Sequence, residues 1–244
     1  MWQQLRNEYA DQGFELVTVG LDALGAAGCR EFIEAAQPEH PSLIDTHHVL
    51  ANQFGVVNIP SSIWIDEQGM IVRPAEAAPA PPAEAPAMGD LDMSALPERM
   101  QEMMVHAAQI PNDSEAYHAA LRDWIEKGSA RDFALTPEQV IERSRPRDPD
   151  VSLGHAHFEI ASELEVQGHH EAAIRHFREA HRLVPDSWTF RRQAWSLEGP
   201  VEMPMGRFWQ GPSEDNPEAW PYEGGWLEDI KESGAENYSE RFRA

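Results

Sequence analysis

The sequence predicts an α/β fold joined to a small all-helical module, and three observations predict it. Strand and helix patterns alternate over the first 73 residues, in the order α-β-α-(β)-α-β-β. Residues 56–73, Val-Val-Asn-Ile-Pro-Ser-Ser-Ile-Trp-Ile-Asp-Glu-Gln-Gly-Met-Ile-Val-Arg, read as an antiparallel hairpin. From residue 153 to 185 the apolar spacing becomes purely helical, with one glycine at its middle.

The elements follow in order. Trp2, Leu5 and Tyr9 fall at i, i+3 and i+7, one apolar helix face, and Gly13 ends it. Residues 14–21 are almost continuously apolar, the pattern of a strand buried on both faces. Cys29, Phe32, Ile33 and Ala36 repeat at i, i+3, i+4 and i+7, a second amphipathic helix that ends before Pro38. Residues 42–44 are a brief extended piece. Asp45 or Thr46 is placed to cap a helix carrying Val49, Leu50 and Phe54, with Gly55 at its end. In the hairpin, strands 62–65 and 70–72 flank a turn at 66–69, where Gly69 takes positive φ readily. Pro60 has no amide hydrogen to give a ladder, so it stands at or before the first residue of its strand. The Ile59–Pro60 bond stays open between cis and trans.

Beyond the hairpin, residues 74–86 carry proline at a density that forbids helix and ladder alike, the pattern of an extended linker. Residues 96–110 form a Met-rich helix in which Met100, Met103 and Met104 are packing filler. Tyr117, Leu121, Trp124 and Ile125 align on a helix over 114–127, stopped by Gly128. Thr136-Pro-Glu-Gln139 is a capping box with proline at its first turn, opening a short helix through Ile141 that Pro146 and Pro149 end. Phe158, Ala161 and Leu164 mark one helix of a pair, Gly168 the turn, and Ala173, Phe177 and Ala180 the second, closed by Pro185. Residues 188–197 pack as a following helix. Residues 200–244, with irregularly spaced Trp209, Trp220 and Trp226, read as a tail laid over the body.

Composition narrows the function classes. The 244 residues carry a formal charge of −23, which argues against polyanionic partners, whether nucleic acid or an anionic membrane. No run of about 18 apolar residues is present, nor an apolar signal core at the N-terminus, and a cytoplasmic setting is the resulting expectation. Cys29 is the one cysteine. It excludes an internal disulfide and a Cys-x-x-Cys pair within these residues, and its place on an apolar stripe makes it a structural thiol. His47-His48 and His169-His170 are sequence neighbours and His155 and His157 lie two apart, so each pair diverges around its helix. They read as surface histidines, with no metal site. No phosphate-binding glycine loop or nucleophile elbow occurs. No catalytic residue and no cofactor are expected.

The residues that carry a family resemblance are the helix at 2–9, the strand at 14–21 ending in Asp22, Pro-Ser-Leu-Ile-Asp at 41–45, Phe54-Gly55-Val56 before Ile59-Pro60, and Trp64-Ile65-Asp66-x-x-Gly69-x-Ile71. Together they resemble the thioredoxin superfamily, closest to the TlpA/ResA-like redoxin branch. The helix at 116–128 resembles the final helix of that fold. This implies a thioredoxin-like mixed sheet over 1–128 with an insertion at about 74–113, and a connector over 129–150. The pair at 151–198 resembles one tetratricopeptide repeat, through Gly168, Ala173, Phe177, Ala180 and Pro185, with His157 where the usual tryptophan would be. A Trp/Pro-rich acidic tail completes the chain over 199–244.

The resemblance implies a thiol–disulfide oxidoreductase, with Ile59 and Pro60 as substrate-binding residues of a cis-proline loop and a protein partner or protein thiol as ligand. It also shows a departure. The family's first strand and its Trp-Cys-x-x-Cys turn would precede residue 1, so Met1 reads as internal to a longer protein. That strand is the central one of the sheet. Without it, the backbone groups of both neighbours face a gap. Either the 14–21 strand pairs directly with the hairpin, or another chain fills the space. The implied function is a redoxin relative that is redox-inactive as given. The alternative is a non-catalytic interaction module on the same scaffold.

Overall fold

The computed structural model describes residues 2–80, 96–128, 133–144, 147–198, 211–212 and 217–243, and among them the chain is a mixed α/β structure of small sheets and many helices. Helix α1 (Trp2–Tyr9) buries Leu5 and Tyr9 and runs on through a 3-10 turn to Gly13, whose φ of 83° closes it. Strand β1 (Thr18–Leu21), helix α2 (Ala26–Ala36) and strand β2 (Ser42–Asp45) form a parallel unit, paired from Thr18 with Ser42 to Leu21 with Asp45. Helix α3 (Val49–Phe54) follows. The Asp45 carboxylate, rather than Thr46, caps it, accepting from the amides of Val49 and Leu50 at 2.8 Å and of Ala51 at 3.2 Å.

Strands β3 (Ser61–Ile65) and β4 (Ile71–Ala77) form the hairpin. Asp66 sets its turn, accepting from the amides of Gln68 and Met70, with Gly69 at φ 76°. The expected linker from residue 74 is corrected here, because β4 continues through Pro74 to Ala77. The reason is a bulge. Ser62 pairs with Glu76 and Trp64 with Arg73, so Ile63 alone faces both Pro74 and Ala75. A bulge is where a ladder tolerates a residue without an amide hydrogen. Residues 81–86 of that expected linker lie outside the described residues.

Two further expectations change. The stretch 14–21 is a strand only from Thr18, and it is not buried on both faces: Val17 is 51% exposed and Val19 38%. On α2, Gly28 and Cys29 are buried, but Phe32 is 56% exposed. Periodicity marks the side of a helix that is apolar; it takes a partner to cover it. The four strands make two separate two-stranded sheets, β1–β2 and β3–β4.

Two cores result. The first joins Leu5 and Tyr9 of α1, Trp64 and Val72 of the hairpin, and Tyr117 and Leu121 of helix α5 (Ser114–Lys127). Phe242 packs into it. Arg73 is buried there, ion-paired with Glu76 at 2.8 Å, and Arg143 reaches the same carboxylate at 3.0 Å. Arg143 lies on helix α6 (Pro137–Ser144), whose reciprocal Thr136–Gln139 capping box forms as the spacing predicts.

The second core is helical. Helix α7 (Pro149–Val166) and helix α8 (His170–Leu183) form a hairpin about Gly168, at φ 78°. Pro149 does not end α6; it is the first residue of α7, behind the cap of Asp148. Phe158 stacks on Phe190 of helix α9 (Trp188–Ser196) at 4.3 Å. Helix α4 (Glu98–Ala107) joins through Met103, filler as its unbranched side chain suggests. The last part of the chain holds helix α10 (Trp226–Ser233), not only an irregular tail. Trp226 and Ile230 are fully buried in the helical core. Trp226 donates to the Tyr238 hydroxyl at 3.1 Å. Three buried residues, Trp226, Leu227 and Ile230, within five positions are too few to give a periodic signal.

Candidate functional site

The space between the two half-sheets is a cleft of about 1460 Å³, lined by β1 and β3 along its length. It exceeds the ~300–1,000 Å³ of small-molecule pockets. Main-chain groups alternate sides along a strand, so each ladder fixes where the others point. The Thr18 amide donates to Pro41 on the β2 side, which turns Val17, Val19 and Leu21 outward. The Pro60 carbonyl and the Asp66 amide bond on the β4 side, which turns Ser61, Ile63 and Ile65 the other way. Both outward rows belong to strands that wall the same cleft. The far edge of β4 differs, since its Ala77 amide donates to Glu240 of the C-terminal segment at 2.7 Å.

Ile59 and Pro60, the expected substrate-binding residues, lie on the cleft wall and are joined by a cis peptide bond. Asn58 fixes this loop. Its side chain is buried, donates to the carbonyl of Tyr238 and the hydroxyl of Ser239, and accepts from the Ile59 amide. The Ala78 amide donates to the Pro60 carbonyl at 3.0 Å.

Helix α9 crosses one end of the cleft. The Gln193 carboxamide accepts from the Ala23 amide at 2.9 Å, just past β1. The Thr189 amide donates to the Val57 carbonyl, and Arg192 donates to Ile59 at 3.4 Å, just before β3. The end of β1 and the start of β3 therefore sit under the same helix, and the two strands run in opposite senses across the gap. Among the described residues no carboxylate pairs with Arg192. Its Nε is buried without a partner, and the ring of Tyr238 lies 5.2 Å from the guanidinium. Burial alone pushes its pKa down to about 10. Its neighbours on the molecule are neutralised: Arg191 by Asp229, and Arg241 by Asp113.

Sequence reasoning missed Arg192, although a signal was there. Trp188, Arg192 and Trp195 fall at i, i+4 and i+7, a cation on the apolar stripe of its helix.

Cys29 is buried against β1, where a Cβ on Gly20 would meet its Sγ at 2.9 Å. Burial, and then Asp22, raise its pKa, the opposite of what a thiolate nucleophile needs. Two of the expected surface histidines are drawn inside. His48 is 1% exposed, lies 4.5 Å from Phe158, and has the Gln193 side chain as the polar group beside its ring. His155 packs edge-on to Phe190, with its Nδ1 buried. Burial lowers both to about 4. They sit where α3 and α7 meet, a contact between residues distant in sequence. No group of three or more potential ligands converges on a metal position among the described residues, and none of their helices is long and apolar enough to cross a membrane.

Comparison of the chain with protein-family models, with curated proteins and with solved structures finds no match.

Proposed function

We propose that this chain is a protein-interaction module that binds an extended polypeptide segment, built on a thioredoxin-like scaffold of the TlpA/ResA type with one tetratricopeptide-like helical unit. The observation that carries this reading is the pair of outward strand edges on β1 and β3, both walling one large cleft. A strand edge recognises another backbone, because its spaced N–H and C=O groups match an extended chain and few small molecules. The thioredoxin-like domain takes residues 1–128 and the helical unit residues 151–198, in a cytoplasmic setting. The Ile59–Pro60 loop on the cleft wall supports the family reading, since that is where the resemblance places the backbone of a bound substrate.

Disulfide turnover is not part of this function in the chain as given, whose buried Cys29 has a raised pKa. Insulin reduction that survives Cys29→Ser would contradict that. Binding is tested by selecting displayed peptides on the full chain and following amide exchange by NMR. Bound peptides are expected to slow exchange at Val19, Leu21, Ile63 and Ile65. Selected peptides that leave those four amides unchanged refute the reading.

A further inference from the structure

We infer that His157 of α7 and His176 of α8 form a two-imidazole chelate for a divalent late first-row transition ion, Cu2+ and Ni2+ ahead of Zn2+, held across the helical pair. The site lies outside the cleft and does not depend on the interaction reading above.

The two residues are 19 positions apart and on different helices, so no local spacing pairs them. Position 157 is where the tetratricopeptide resemblance expects tryptophan, and an imidazole there brings a nitrogen lone pair to the space between the helices. Phe158 and Phe177, the next residue of each helix, are buried and meet edge-on at 5.6 Å. Ala161, Ala173 and Ala180, with no exposed surface, let the helices close in beside them. These contacts fix the rotation of both helices and hold the half-buried histidines opposite each other. Their Nδ1 atoms stand 2.9 Å apart while the ring centroids are 5.0 Å apart, so the helices present nitrogens to each other rather than ring faces.

That separation carries the inference. Two imidazole nitrogens bonded to one ion at about 2.0–2.1 Å and at a right angle stand about 2.8–3.0 Å apart, whereas tetrahedral angles separate them by about 3.3–3.4 Å. Right angles belong to the tetragonal sites of Cu2+ and Ni2+, ions that imidazole suits. A turn of each ring about its Cβ–Cγ bond aims both lone pairs at an ion beside the contact. Without an ion, one neutral ring gives its Nδ1 hydrogen to the other. On loading, that hydrogen moves to Nε2 by exchange with water, and neither ring changes charge. The charged neighbours permit a cation. Arg175 is turned to the Glu171 carbonyl at 3.2 Å. Glu179 lies at i+3 from His176, its pairing with Arg182 is exposed, and its carboxylate can serve a third position. Water fills the rest.

The test uses the full chain without an affinity tag, stripped with a chelator and titrated with Cu2+, Ni2+, Zn2+ and Mg2+ by calorimetry. One ion per chain is expected, with Cu2+ tightest, Ni2+ next, Zn2+ weaker, and no binding of Mg2+. His157→Ala and His176→Ala are each expected to weaken Ni2+ by about tenfold or more, with circular dichroism and melting verifying the folds. His170→Ala, which removes the imidazole between Glu165 and Glu198, is expected to leave the affinity unchanged. On the unaltered chain, substoichiometric Cu2+ is expected to broaden the ring resonances of His157 and His176 first, and electron paramagnetic resonance to show two imidazole nitrogens on the ion. Should a variant fail to fold, those two measurements decide alone. Broadening centred on other histidines, or affinity lost with His170→Ala instead, overturns the assignment. Zn2+ bound more tightly than Ni2+ overturns the right-angle geometry on which it rests. No saturable binding of any ion leaves the pair a plain N–H···N hydrogen bond and removes the site.

Discussion

In the helical half, Phe158, Ala161, Ala173 and Ala180 have no surface left, and Phe177 and Trp195 almost none. In the half that carries the sheets, Val17, Val19, Leu43 and Ile65 keep between 38% and 51% of theirs. The two regions are built from similar apolar residues, and the difference lies in what closes them. A helix satisfies its own backbone, so side chains alone decide its packing, and α4, α9 and α10 cover the α7–α8 pair from several sides. A strand satisfies half of its backbone through a neighbour. Where β1 and β3 have no strand beside their inner edges among the described residues, side chains such as Val19 and Ile65 stay exposed as well. The helical half closes its core even though Leu153, Ile160 and Val166 on the outer side of α7 stay exposed, whereas the exposed apolar residues of the sheets lie on the strands themselves.

The comparison can be broken most directly by truncating both regions. Phe158→Ala should remove about 3–5 kcal/mol of unfolding free energy, whereas Val19→Ala at the cleft should stay within about 0.5 kcal/mol. Urea denaturation measures both, and equal losses would mean that the cleft is packed in solution. The first core, though Trp64, Tyr117, Leu121 and Phe242 also wall the cleft, should behave like the helical one at its buried ion pair. Glu76→Ala leaves Arg73 buried beside only the carbonyl oxygens of Phe133 and Arg243, with an expected loss of about 3–5 kcal/mol. A melting temperature unchanged by that substitution would show that Arg143 and water compensate.

Overpacking tests the helical half from the other direction. A Cβ on Gly154 would meet the Val184 side chain at 2.3 Å, so Gly154→Val should cost about 1–3 kcal/mol or more. The same measurement on Gly55→Ala, which has open space but φ 72°, should show only the smaller strain of a left-handed residue.

The contact between the halves should be the acid-sensitive part. His48 is neutral when folded because burial lowers its pKa from 6.5 to about 4, so the unfolded chain takes up its proton first. The stability this group contributes is full above pH 6.5 and falls as the pH drops from there towards 4. His155, also at about 4, and His181, at about 3, add in the same direction. Asp45 and the Gln193 side chain oppose the shift at His48, and His47 adds to it. His48→Asn, which keeps a residue tolerant of its φ of 53°, should flatten part of that fall. An unchanged pH profile of denaturation midpoints would show that the histidine is solvated.

What the sequence determined by itself is local. The capping box at Thr136 and Gln139, the Asp66–Gly69 turn and the Gly168 break in the helical pair are all written within a few residues, because their hydrogen bonds close within a few residues. The place of Pro60 just before β3 was legible for the same reason, since a proline before a strand has few places to go. Tertiary structure decided the rest. Pro74 enters β4 because the register with Ser62 and Trp64 opens a bulge. Asp45 outcompetes Thr46 as the cap of α3 because the end of β2 points its carboxylate at three amides. His48 turns inward onto a phenylalanine of α7. Arg192 comes from 133 residues away to stand at Ile59. Which strands pair and which side chains meet depend on contacts between residues far apart in the chain, and no local pattern encodes those.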